Sequence, residues 1–325
     1  MTGARATRDA YGQALLELAA ERPELVVLDA DLSRSTRTEW FAARHPDRFF
    51  NVGIAEQNMI GVAAGMALTG LLPFATTYAV FVARAADQIR QAVCFNRAPV
   101  KIVATHAGLA ASHDGGSHQG TEDLAVLRAL PGLTILCPAD HDETVAAVRA
   151  AAAHPGPVYL RLQKEPVRDL PAAAEPFTIG RARVLCDGDD LAIVTAGSLA
   201  THAVAAAREL AGSGIGVRVL QLGTLKPLDV AALDETARRC RVLLTAEEHS
   251  VVGGLYEAVM GAIGGRHRVV SAALGLHDRF GESGSWPELL AATGLDERGL
   301  VGAAHRALGQ ARAAGLRQVD GGRAG

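Results

Sequence analysis

Across its first half the chain alternates short apolar, β-prone runs with segments of helical periodicity. Nearly every run ends in polar residues or glycine. The runs are LVVLDAD (25–31), RFFNVGI (48–54), the stretch from Phe74 to Tyr78, VKIVATHAG (100–108), LTILCPAD (133–140) and PVYLRLQK (157–164). Between them lie TRDAYGQALLELAA (7–20), with Thr7 placed as a cap, an apolar glycine-containing helix from Glu56, VFVARAADQIRQAV (80–93) and HDETVAAVRAAAAH (141–154). Such a chain predicts an α/β fold, a parallel sheet with helices on both faces. Ligands of such sheets sit beyond the carboxyl ends of the strands. Here those ends carry Asp31, Gly53 to Glu56, His106 and Arg161.

A second alternation follows: LAIVTAG (191–197), GVRVLQLGTLKP (216–227), RVLLTAEEHSVVGG (241–254) and HRVVSAALG (267–275). Between the halves, Val167 to Asp190 has two prolines and mixed charge. The expected division is a first α/β domain over 1–170, a linker over 171–188, a second α/β domain over 189–310 and a flexible tail over 311–325.

Net charge is −3, with no basic stripe or acidic block, so neither nucleic acid nor an anionic membrane is an expected partner. The longest apolar stretch, Ile60 to Phe74, is broken by three glycines and a proline and is too short to span a bilayer. The four cysteines are scattered and match no metal-ligand spacing, which fits free thiols in a cytoplasmic protein.

The chemistry concentrates between Asn51 and Arg161. Glu56 enters a helix among Ile54, Ala55, Met59, Ile60 and Val62, where an ionised carboxylate is costly if the turn is buried. A carboxyl kept neutral there can donate a hydrogen bond to a ligand nitrogen. Aromatics are only 4% of the chain, so Phe74, Tyr78 and Phe81, at spacings of four and three, stand out. They serve either as core or as the wall of a pocket for a flat ring. His106, His113, Asp114 and His118 crowd one glycine-rich loop without metal-site spacing and suit a polar substrate better than a metal. Arg161, alone in an apolar strand, must pair with an acid or face an anion.

Taken together, NVGIAEQNMIGVAAGMALTG, PFATTYAVFVARAADQIR, THAGLAASHDGGSHQGTEDLAVLRALPG and TAEEHSVVGGL resemble the carboxyl-terminal half of transketolases, and most closely the split form made of two chains. The resemblance implies a pyrimidine-binding domain followed by a transketolase carboxyl-terminal domain. It implies thiamine diphosphate as cofactor, with Glu56 activating the aminopyrimidine and Phe74, Tyr78 and Phe81 beside it. It also places Arg8, Ser35, His106 and Arg161 at the substrate phosphate, and Asp114 and His118 at donor hydroxyls, with His106 and His118 joining Glu56 as catalytic candidates. An aromatic of the family aligns near Arg84, and His113 stands where an acid is common. Glu248 and His249 are expected in a structural or interface role.

The family's diphosphate element, a GDG with an asparagine downstream, has no counterpart; CDGDD (186–190) has similar letters but no downstream partner. The resemblance therefore implies half an active site. A separate diphosphate-binding subunit would complete it, most simply as an α2β2 heterotetramer, and would hold the divalent metal, Mg2+ or Ca2+. Ketol transfer between sugar phosphates is the leading expectation. The alternatives are the beta subunit of a 2-oxoacid dehydrogenase, a deoxyxylulose phosphate synthase-like enzyme, and a catalytically silent regulatory subunit.

Overall fold

The computed structural model describes residues 3–171 and 175–315. In the first domain β1 (Leu25–Asp29), β2 (Phe49–Asn51), β3 (Leu72–Tyr78), β4 (Lys101–Thr105), β5 (Thr134–Leu136) and β6 (Val158–Arg161) form a parallel sheet in the order β5-β6-β4-β3-β1-β2. Strands β1, β3, β4 and β5 are buried along their whole length, as a sheet covered on both faces requires. Alternation sends Val27, Phe74 and Val103 to one face, against Tyr11, Leu15 and Val148 of helices Thr7–Glu21 and His141–Ala153. Leu28, Ala75 and Ile102 go to the other, against Met59 and Ile60 of helix Glu56–Leu68 and against Ile89. Edge strand β2 is partly exposed.

The stretch 80–93, expected as one amphipathic helix, is a broken run. Short α-helical pieces at Ala79–Val82 and Ala86–Gln88 flank a 3-10 turn at Ala83–Ala85, and a π-helical segment follows at Ile89–Cys94. Each change of pitch re-aims the next side chains, which periodicity alone does not foresee.

In the second domain β7 (Arg183–Cys186), β8 (Leu191–Thr195), β9 (Val217–Gln221), β10 (Thr224–Lys226), β11 (Val242–Ser250) and β12 (Val270–Leu276) follow. The sheet order is β12-β11-β8-β9-β7, with β7 antiparallel at the edge. Strand β7 thus falls inside the stretch expected as linker. The run 216–227, expected as one strand, divides at Gly223, where a Cβ would come within 2.9 Å of the Phe177 ring. Beyond it β10 crosses to the first sheet and pairs antiparallel with β5. Lys226 anchors that crossing by donating to the carbonyls of Arg128 and Leu130. One buried cluster therefore runs from Ile135 through Leu222 and Leu225 to Leu243 and Val259, joining the two domains. Helix Glu297–Ala313 carries residues 311–313 of the expected tail, and 316–325 lie outside the described residues.

Candidate active site

After β2 the chain turns through Gly53, at φ +71°, into the helix that Glu56 begins. The Glu56 side chain is buried, and its Oε2 has no hydrogen-bond partner. Arg84 Nε stands 3.3 Å from that oxygen, within ion-pair range but without hydrogen-bond alignment. Leaving a buried acceptor unmet costs about 1–3 kcal/mol, so this oxygen is poised for a donor.

Two sets of contacts lie at the carboxyl edge of the sheet, one of Glu56 with Arg84 and one that links Phe81, Tyr78, His106 and Arg8. Arg84 lies three residues past Phe81 on the broken helical run. The Phe81 ring stacks on Tyr78 at 5.6 Å and 8°, and meets His118 edge-on at 5.6 Å and 75°. Tyr78, the last residue of β3, stacks on His106 at 3.7 Å. Phe74 is not part of this wall: its ring is fully buried in the core, 6.3 Å from that of Tyr11. It shares a face with Tyr78, but four residues back along β3 that face is packed under helices.

His106 follows β4 with a left-handed φ of +57°, a strained conformation for a residue with a Cβ. Its Nε2 lies 3.5 Å from Arg8 Nη1, and its Nδ1 lies 2.9 Å from Thr105 Oγ1. Burial, and then the positive charges of Arg8, Lys164, Arg37 and His118, push its pKa down to about 3. The ring is therefore neutral at ordinary pH. Arg8 Nη1 donates to the Ser35 carbonyl at 2.9 Å, while Arg8 Nε is buried without a hydrogen-bond partner. Asp9, 3.9 Å from that Nε, is too far to accept. Burial raises the pKa of Tyr78, and the nearby Ser35 side chain partly offsets the rise. An unmet guanidinium donor among several cations and a neutral histidine is suited to an oxyanion. Lys164 and Arg37 add positive charge around His106 and are absent from the sequence-level candidates, although Arg37 itself pairs with Asp9 at 2.6 Å. Lys164 lies three positions beyond Arg161, just past the end of β6, which is the signal that points to it.

Arg161, expected at a substrate phosphate, is committed elsewhere. Its Nε and Nη2 donate to Asp123 at 2.8 and 3.2 Å, and Nη2 also reaches the carbonyls of Gly120 and Glu248. Burial opposes its charge, but Asp123 more than offsets this and the Arg161 pKa is raised. The pairing with an acid, one of the two options in an apolar strand, is the one the fold takes. Asp114 ends the 3-10 turn Gly108–Asp114 and is exposed, and His118 is half-buried beside Ser117.

Among the described residues no group of three or more His, Cys, Asp or Glu could hold a metal ion. No helix among them is long and apolar enough to cross a membrane. In CDGDD the acids are committed: Asp187 pairs with Arg218 and Arg239, and Asp189 pairs with Arg239 at 2.7 Å.

The patterns of two families match the chain in sequence order: "Transketolase, pyrimidine binding domain" over residues 3–169 and "Transketolase, C-terminal domain" over 180–300. The chain belongs to the transketolase family. It is 41% identical over 295 residues to a Methanocaldococcus jannaschii protein named as a transketolase C-terminal section, covering 89% of this chain and 92% of that one. To a 6-deoxy-6-sulfo-D-fructose transketolase subunit of Clostridium sp. (strain MSTE9) it is 38% identical, covering 92% and 93%. A solved structure titled as a split gene transketolase, inactive beta4 tetramer, superposes with a TM-score of 0.86 at 46% identity, covering 94% of this chain and 99% of that one. The Pichia stipitis transketolase in complex with a sedoheptulose phosphate has a TM-score of 0.81 at 25% identity, and this chain spans 47% of it. A 1-deoxy-D-xylulose-5-phosphate synthase of Geobacter sulfurreducens is 37% identical, with 48% of its length covered. The chain thus carries the two domains that make up the carboxyl-terminal half of the longer transketolase-family proteins it matches.

Proposed function

We propose that this chain is the pyrimidine-domain subunit of a split transketolase. It moves a two-carbon ketol unit from a ketose phosphate to an aldose phosphate, with thiamine diphosphate held between it and a separate diphosphate-binding chain. The observation that carries the proposal is a pair of unmet buried side-chain atoms in the candidate site: Glu56 Oε2 and the donor Arg8 Nε. The first can share a proton with the ring nitrogen of an aminopyrimidine, the proton lying on the carboxyl or on the ring, and the second suits the anionic end of a sugar phosphate.

In this reading Glu56 hydrogen-bonds the pyrimidine ring and sets its protonation, while Tyr78 and Phe81 offer the flat face beside it. Bound thiamine diphosphate supplies the carbon nucleophile that attacks the ketose carbonyl. Arg8, Ser35 and neutral His106, with Lys164 and Arg37, hold the anionic end of the sugar. Asp114 and His118 meet the donor hydroxyls. The partner chain contributes the diphosphate and metal site, in an α2β2 assembly in the cytoplasm. Support for a partner comes from two relatives, one named as a transketolase C-terminal section and one titled as a split gene transketolase.

The test is co-expression with a diphosphate-binding transketolase subunit, followed by a ketol-transfer assay on phosphorylated ketoses and aldoses. The Clostridium relative is named for a sulfonated sugar. A sulfonate offers a similar oxyanion to the same cluster, so sulfonated ketoses belong in the panel. Ketol transfer supports the reading. Decarboxylation of a 2-oxoacid without ketol transfer replaces it with the dehydrogenase subunit, and formation of deoxyxylulose phosphate replaces it with the synthase.

A further inference from the structure

The loop that follows His106 is held by the second domain. Glu248, in β11, is buried, and its Oε2 accepts from the Leu109 backbone N–H at 3.2 Å and from Trp286 Nε1 at 2.9 Å. Its Oε1 accepts from Gln163 Nε2 and Ser198 Oγ, both at 3.3 Å. Its carbonyl accepts from Arg161 Nη2, which also reaches the carbonyl of Gly120 on the far side of the same loop. The approach is close: a Cβ on Gly108, at φ +64°, would lie 2.5 Å from Glu248 Cβ. On either side of this contact two non-glycine residues have left-handed φ, His106 at +57° and Ser112 at +55°. Such backbone costs about 1–3 kcal/mol per residue and persists only where the surroundings over-determine it. Few residues are as well placed to do so as a carboxylate fixed by four donors, one of them inside the strained segment.

We propose that Glu248 is a positioning residue for the candidate active site. From the second domain it fixes the 106–114 loop and so the placement of His106 and Asp114. This rests on the functional reading above for its kinetic consequence, but not for its structural one. The second domain then serves as the buttress that keeps the anion-binding histidine in its strained conformation.

The experiment compares wild type, Glu248→Ala and Glu248→Gln by amide hydrogen exchange on the full chain and by kinetics on the reconstituted complex. In Glu248→Ala, exchange across 106–114 should rise roughly tenfold while the rest of the first domain is unchanged, the size expected for one lost charged hydrogen bond. KM for the phosphorylated donor should rise about as much, with thiamine diphosphate affinity unchanged. Glu248→Gln, which keeps an acceptor for Leu109 and Trp286, should restore most of both. If Glu248→Ala does not fold, Trp286→Phe removes one donor to the same oxygen and should raise exchange in the same segment to a smaller degree. Unchanged exchange at 106–114, or a rise spread evenly over the first domain, would overturn the proposal. A wild-type complex without ketol transfer would refute the functional reading instead, and the exchange data would still decide the positioning role.

Discussion

Arg84 Nε stands 3.3 Å from Glu56 Oε2, the buried carboxylate oxygen that lacks a hydrogen-bond partner. The arginine side chain is 63% exposed against 4% for the glutamate, so the cation sits over the mouth of the acid's niche and can swing out. A ligand nitrogen would compete with it for the same oxygen. Replacing it by an uncharged chain of similar length, Arg84→Met, should tighten thiamine diphosphate binding by the reconstituted complex. A half-exposed ion pair is worth at most about 1 kcal/mol, so the gain is up to about fivefold in Kd. Calorimetric titration measures it, and weaker binding would show instead that the guanidinium closes over the ring.

His106 offers a titration to follow. Its folded-state pKa of about 3 lies below the ordinary histidine value of 6.5, first through burial and then through Arg8 and its neighbours. The native chain therefore binds fewer protons than the unfolded one between those values, and acidification through that window erodes stability. By NMR the His106 ring should stay neutral from pH 8 down to pH 5. In Arg8→Met its midpoint should move upward but stay below the ordinary value, since burial remains. A wild-type midpoint near the ordinary value would contradict the cation cluster.

Phe74 and Tyr78 share a strand face but not a role. Phe74→Ala should destabilise the fold by about 3–5 kcal/mol, the range for an aromatic deleted from a core. Thiamine diphosphate affinity of the molecules that remain folded should be unaffected. Tyr78→Ala should cost less stability, because the ring lies at the carboxyl edge, and should weaken cofactor binding by up to about tenfold. Denaturant unfolding paired with cofactor titration separates the two, and equal effects on both readouts would show that the wall extends down the strand.

The α/β class, the strands of the first domain and most of the site cluster were legible because buried parallel strands leave apolar runs and their carboxyl ends collect polar residues. Glu56 and His106 stand out at strand ends for that reason, Tyr78 and Phe81 by their aromatic spacing, whereas Arg8, in the first helix, is picked out only by the family resemblance. What local pattern does not encode is which charges meet. Arg161 as a lone cation in an apolar strand has two solutions, and the choice depends on Asp123, thirty-eight positions away. Phe74 looks like Tyr78 in spacing, and only the helices stacked on the sheet distinguish them. The crossing of β10 to the first sheet and the grip of Glu248 on Leu109 join residues far apart in sequence, and periodicity carries no trace of such pairings.

The most direct test of the account is ketol transfer by the complex of this chain with its diphosphate-binding partner, comparing wild type with Glu56→Gln. The substitution keeps the size of the side chain and removes the ionisable carboxyl from the oxygen that awaits a ligand nitrogen. The account predicts intact assembly and a fall in kcat of about a hundredfold or more, the scale of one lost acid–base group. Ketol transfer at a near wild-type rate with Glu56→Gln would contradict it.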